Sequence, residues 1–154
     1  QEYGYYALNT LRLEKSFGIW NCEFMQAYTP GETRLNRWIS RGKNVEFVGK
    51  TPALKEISEG EKALQKTLIT LEIKDAEMEA NGYEPIWSKN NKRIGMTTSG
   101  GYGYKVDKSL AMAFVEPEFS KPGIELKTHI VGKEKSCVVL GNSPWDPEGS
   151  RMRL

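Results

Sequence analysis

Two periodicities divide the chain. Across Ala7–Trp20, ALNTLRLEKSFGIW, positions recur at helical spacing: Tyr6, Leu13, Phe17 and Trp20 share one stripe, and Asn9, Arg12 and Ser16 share another. This spacing predicts a helix over Ala7–Trp20, with Gly18 the first residue suited to ending it because glycine accepts positive φ. Asn21–Ile39 shows neither period, and Tyr28-Thr29-Pro30-Gly31 marks a turn there. Gly42–Gly49 reads as a loop carrying the apolar residues Val45, Phe47 and Val48. Thr51-Pro52 opens a second short helix, with threonine as cap, proline in the first turn, Leu54 and Ile57 on the apolar face and Gly60 at the end.

From Lys62 onward the period changes to two. Ile69, Leu71 and Ile73 alternate with Thr70, Glu72 and Lys74, the pattern of a half-buried strand. Asp75–Gly82 is polar and reads as a loop. Pro85–Trp87 and Arg93–Thr98 flank Ser88–Lys92 as a hairpin, with Asn90 and Asn91 at the turn. Leu110–Val115, LAMAFV, is a near-continuous apolar run and predicts a strand buried on both faces. Ile124, Leu126, Thr128 and Ile130 alternate again, Gly132-Lys133 is a tight turn, and Cys137–Leu140 makes a last strand. Short strands separated by turns, with no helices between them, predict an antiparallel barrel or sandwich.

Composition changes this picture little. The 154 residues fit one ordinary domain or one domain with a piece of another, and 38% hydrophobic with 27% charged residues is a globular balance. The net charge of +2, without a basic run, gives no support for a nucleic-acid or anionic-membrane partner. No apolar run approaches the roughly 18 residues of a membrane helix. Cys22 and Cys137 read as two reduced, buried thiols, with a single bridge between them left open. The start at Gln1, without Met and a few residues before a helix, leads us to expect a missing amino-terminal portion.

Candidate chemistry is sparse. Gly101-Tyr102-Gly103 has Val106 where a dinucleotide loop needs its third glycine, and no helix pattern follows, so the glycines of Ser99–Gly103 read as permitting a bulge or bend at a barrel corner. His129 is the only histidine and no motif sets it beside a nucleophile. It reads as an exposed barrel residue. No catalytic residue and no metal-ligand spacing is singled out. Arg34, Arg37 and Arg41 near Trp38 read as a solvated or salt-bridged face. Arg12, set in an aromatic-rich helix, needs a partner or a ligand, because burial of an unpaired charge is costly.

The ordered segments NTLRLEKSFGIW, YTPGE, FVGKTPAL and EPIW…IGMTTSGGYGY…KSLAMAFV resemble the carboxyl-terminal part of the aminomethyltransferase (glycine cleavage T-protein) family over nearly the whole chain. Within it, Lys15, Trp20 and the tail SPWDP at Ser143–Pro147 are most similar to the tetrahydrofolate-binding half of the dimethylglycine and sarcosine dehydrogenases. The resemblance implies a mainly β fold with short amino-terminal helices. Residues 1–50 would be the tail of a folate-binding α+β domain and residues 51–154 a carboxyl-terminal antiparallel β-barrel.

The resemblance also implies tetrahydrofolate as cofactor of the parent protein and a small N-methyl amine as its substrate. Arg12 of the LRLE helix and Trp20, eight positions later, would be the cofactor-binding residues, the guanidinium as a donor fork and the indole as a flat wall. The family's catalytic aspartate, and in the dehydrogenases FAD, belong upstream, so this segment would pack on a missing amino-terminal domain and be inactive alone. An aminomethyltransferase of T-protein type and a non-catalytic regulatory member remain the alternatives. The implied compartment is a bacterial cytoplasm or a mitochondrial matrix.

Overall fold

The computed structural model describes residues 2–42, 44–74 and 77–153. Six strands close into an antiparallel barrel: β1 (Thr67–Ile73), β2 (Pro85–Trp87), β3 (Arg93–Gly103), β4 (Lys108–Val115), β5 (Glu125–Ile130) and β6 (Lys133–Leu140). Round the barrel the order is β1-β4-β3-β2-β5-β6, with β6 pairing back to β1. Two helices precede it, α1 (Tyr5–Glu14) and α2 (Lys50–Glu59). Among the described residues no helix is long and apolar enough to cross a membrane. The loops expected over 42–49 and 75–82 include positions 43, 75 and 76, which lie outside the described residues.

Alternation within the strands builds two cores. Ile69, Leu71 and Ile73 of β1 point into the barrel with Ala111, Ala113 and Val115 of β4, Leu126 and Ile130 of β5, and Cys137 and Val139 of β6. Register sets Ile69 opposite Ala113 and Leu71 opposite Ala111, so large side chains on one strand face small ones on the next, and the narrow interior fills. Burial pushes the Cys137 thiol up to about 12, and both cysteines are free thiols.

The other face of the same strands makes the second core. Leu110, Met112 and Phe114 of β4 and Leu68 of β1 lie outside the barrel against Leu13 of α1, with Phe24 and Tyr28 packed beside them. The Tyr28 ring stacks on Phe114 at 3.9 Å between centroids. The continuous apolar run of β4 is therefore buried on both faces as its sequence indicates. β1 departs from its expected half-burial, since Leu68 and Thr70 are also buried beneath this covering layer.

Helix α1 ends earlier than its periodicity predicts. Ser16, not Gly18, takes the left-handed conformation, at φ +55. The Ser16 amide donates to the Leu13 carbonyl at 2.9 Å and the Phe17 amide to the Arg12 carbonyl at 2.8 Å, the paired bonds of a Schellman end. Phe17, Gly18 and Trp20 thus leave the helix. Of the expected stripe only Leu13 is buried, while Tyr6 is 84% exposed. The face that packs carries Asn9, Arg12 and Leu13. At α2, Gly49 rather than Thr51 is the cap residue, at φ +84, and Gly60 ends the helix as expected.

Two glycines let other chain segments lie on β3. A Cβ at Gly101 would meet Leu13 at 3.1 Å and Asn9 at 3.3 Å, and one at Gly100 would meet the Ala80 carbonyl oxygen at 2.2 Å. Because that neighbour is backbone, Gly100→Ala is expected to cost about 2 kcal/mol or more, measured by urea unfolding. A loss below about 0.5 kcal/mol would show that segment 77–82 is free to retreat.

Candidate functional site

The predicted site residue Arg12 has 8% of its surface exposed and sits in a network of hydrogen bonds. Its Nε and Nη2 donate to Asn9 Oδ1 at 3.0 and 2.8 Å, and Asn9 Nδ2 donates to the Gly100 carbonyl at 3.0 Å. Nη1 reaches the Phe17 carbonyl at 3.3 Å, Glu23 Oε2 at 3.2 Å and the Met112 sulfur at 3.4 Å. Nη2 keeps one N–H that no described residue accepts.

Glu23 is fully buried, and it holds this site together. Its Oε2 takes the Arg12 guanidinium and the Ile19 amide, the latter at 2.8 Å. Its Oε1 takes the Thr98 hydroxyl at 2.5 Å and the Ser99 hydroxyl at 2.6 Å. Consecutive strand residues normally point to opposite faces. Here the β3–β4 register shifts between Thr97 and Ser99, and this bulge lets both hydroxyls reach one carboxylate. The bulge expected from the glycines is real, but it lies just before them and serves Glu23.

Trp20 follows directly on Ile19, so the Glu23 carboxylate ties both predicted site residues to one node. Trp20 is 75% exposed, and its backbone pairs with that of Phe24 in an isolated bridge. Beside the node lies an open cleft of about 870 Å³ between the end of α1, segment 33–38 and the tail, lined among others by Ser16, Phe17, Arg34, Arg37, Trp38 and Ser143. Neither Arg12 nor Trp20 lines it. Arg37 lies 5.1 Å over the Trp38 ring, which accounts for one of the three clustered arginines. The Ser16 hydroxyl is buried and has no partner among the described residues. His129 lies on the outer face of the barrel, as expected, but is half-buried rather than exposed, edge-on to Trp87.

Sequence reasoning missed Glu23 and Asp146. Glu23 lies in a segment without period, and nothing local marks it as a partner of Arg12. Asp146 stood inside a tail motif whose contact had no visible counterpart.

Residues 66–146 match the family described as the glycine cleavage T-protein C-terminal barrel domain. The chain belongs to this family. The chain is 38% identical over 152 residues to mitochondrial dimethylglycine dehydrogenase of Rattus norvegicus, covering 99% of this chain and 17% of that protein. It is 30% identical over 140 residues to an aminomethyltransferase of Clostridium botulinum, covering 91% of this chain and 36% of that one. The crystal structure of glycine cleavage system aminomethyltransferase T from Bartonella henselae shares the fold, with a TM-score of 0.82 at 22% identity over 92% of this chain and 38% of that one. The chain therefore spans about a sixth to just over a third of the relatives it matches.

The buried pair makes a quantitative expectation. Removing one partner strands the other, so Glu23→Ala is expected to cost about 3–5 kcal/mol in denaturant unfolding. The double change Arg12→Met with Glu23→Leu removes the stranded charge and is expected to recover part of that loss, the Ile19 amide and the Ser99 hydroxyl staying without the carboxylate. Equal costs for the single and double variants would show that the pair is not what the node depends on.

Proposed function

We propose that this chain is the carboxyl-terminal part of a tetrahydrofolate-dependent one-carbon enzyme of the dimethylglycine or sarcosine dehydrogenase type. The observation that carries the reading is the alignment of 99% of the chain with dimethylglycine dehydrogenase at 38% identity, higher and longer than with the aminomethyltransferase relative. In this reading, residues 1–50 are the tail of the folate-binding domain and residues 51–154 the barrel. The amine site and FAD belong to parts of the parent protein upstream of this chain.

The side chains fit a folate-like group. The spare N–H on Arg12 Nη2 suits an acceptor atom, and the guanidinium is held in one orientation by Asn9 and Glu23. Trp20 presents an open indole face next to Ile19, whose amide Glu23 fixes. When bound, tetrahydrofolate supplies the nucleophilic nitrogen that accepts the one-carbon unit. The chain's own residues orient the group and wall it off; none supplies a catalytic proton. A mitochondrial matrix or a bacterial cytoplasm is the compartment we assign.

A second reading, a T-protein-type aminomethyltransferase, is favoured by the shared barrel at a TM-score of 0.82. The amine accepted by the full-length protein separates the two.

Equilibrium binding of tetrahydrofolate to the full-length protein tests the folate assignment. Arg12→Lys keeps a charge opposite Glu23 while removing the planar fork, and is expected to raise Kd about tenfold. Unchanged affinity would sink the assignment of Arg12, and absence of binding by the unaltered protein would favour a non-catalytic member. The 154 residues alone are expected to show no turnover of dimethylglycine or sarcosine; activity from them would overturn the division of labour proposed here.

A further inference from the structure

Lys15 and the tail SPWDP are two separate features of the sequence, and in the fold they are one contact. Lys15 Nζ donates to the Asp146 carbonyl at 2.6 Å and lies 3.4 Å from its carboxylate, 131 positions along the chain. Both side chains are nearly enclosed, at 11% and 5% exposed. The ammonium also lies 5.5 Å over the Trp145 ring and 6.0 Å from that of Phe17. From the other side, the Trp145 amide donates to the Glu14 carbonyl at 3.0 Å. That carbonyl is one of those a helix leaves without an internal partner, so the tail completes the end of α1.

Asp146 is built for this position. It holds a left-handed φ of +45, which aspartate tolerates better than most residues. Its Oδ1 accepts from the Ser150 amide at 2.9 Å and the Ser150 hydroxyl at 2.8 Å, and its Oδ2 from the Arg151 amide at 3.3 Å. Although burial opposes ionisation, the Ser150 and Arg151 hydrogen bonds and the Lys15 charge together hold its carboxyl below the ordinary aspartate value. One carboxylate therefore both folds the tail and receives the helix lysine.

The contact reaches the Arg12 node in two bonds. The turn that Lys15 begins carries Phe17, whose amide donates to the Arg12 carbonyl at 2.8 Å and whose carbonyl receives Arg12 Nη1 at 3.3 Å. The same turn and the tail form facing walls of the 870 Å³ cleft. We propose that Lys15 and Asp146 are positioning residues: a latch that fastens the carboxyl-terminal tail over the end of α1 and fixes the turn that orients Arg12 for its ligand. The inference rests on the reading of Arg12 as a folate contact.

The test uses the full-length protein, with tetrahydrofolate as probe and amide hydrogen exchange at residues 15–18 and 143–151 as a second readout. Lys15→Met and Asp146→Asn are each expected to speed exchange in both segments and to raise Kd about five- to tenfold. Lys15→Arg, which keeps a cation and donors, is expected to restore both to within about twofold. Faster exchange with unchanged Kd would show the tail is held but positions nothing, and unchanged exchange would show there is no latch; either overturns the proposal. Arg12→Lys separates the layers. If it weakens binding while the latch variants do not, only the latch fails; if it leaves binding unchanged, the folate reading of Arg12 fails with it.

Discussion

A carboxylate removed from water must be matched by donors, and Glu23 has four: the Arg12 guanidinium, the Ile19 amide and the hydroxyls of Thr98 and Ser99. These donors come from a helix, the turn after it and a bulged strand, so the arrangement of three chain segments follows from satisfying one side chain. Desolvating an ion costs several kcal/mol even after relaxation, and only close, multiple contacts offset it. That requirement explains why a bulge interrupts β3 at Thr98, where a regular strand would turn one hydroxyl away. Asn9 completes the match: with Glu23 on Nη1 of Arg12, the amide oxygen accepts from Nε and Nη2.

The barrel beneath is asymmetric. Strand β5 shows an inner face of buried Leu126, Thr128 and Ile130 and a polar outer one, while β6 ends with Leu140 packed against the outer core. Strands β1 and β4 carry apolar residues on both faces because α1 and the Phe24–Tyr28 segment cover them from outside. Glycines at 100 and 101 let that cover approach closely enough to pack. The helix that carries Arg12 is thus anchored by hydrophobic burial at Leu13 and by polar matching one residue earlier.

The strands were legible in the sequence because alternation is a local signal. Ile69, Leu71 and Ile73 of β1, the run Leu110–Val115 and the turn at Gly132 fall where the pattern puts them, Val131 and Gly132 both at positive φ. The helix was legible in kind but not in extent. Aromatic spacing carried the expected helix on to Trp20, whereas a serine with no special propensity for positive φ closes it four residues earlier. The turn at Ser16 also brings the Phe17 carbonyl to Arg12 Nη1, a contact that aromatic spacing does not encode. Arg12 itself could be marked as needing a partner, yet its partner lay in an aperiodic stretch. The Lys15–Asp146 contact spans 131 positions, beyond the reach of any local rule.

The match to the barrel family begins at residue 66, after α1, Glu23 and Tyr28. The unit that the family match delimits is therefore smaller than the unit that burial delimits, whereas the alignment to dimethylglycine dehydrogenase runs over 99% of the chain. A barrel excised at that boundary would carry Leu68, Met112 and Phe114 as a bare oily wall and would leave Thr98 and Ser99 facing an absent carboxylate. What the family match marks off is, physically, the base of a larger block. A transplant of this barrel into another protein has to bring the first 28 residues with it or provide a new roof of the same shape.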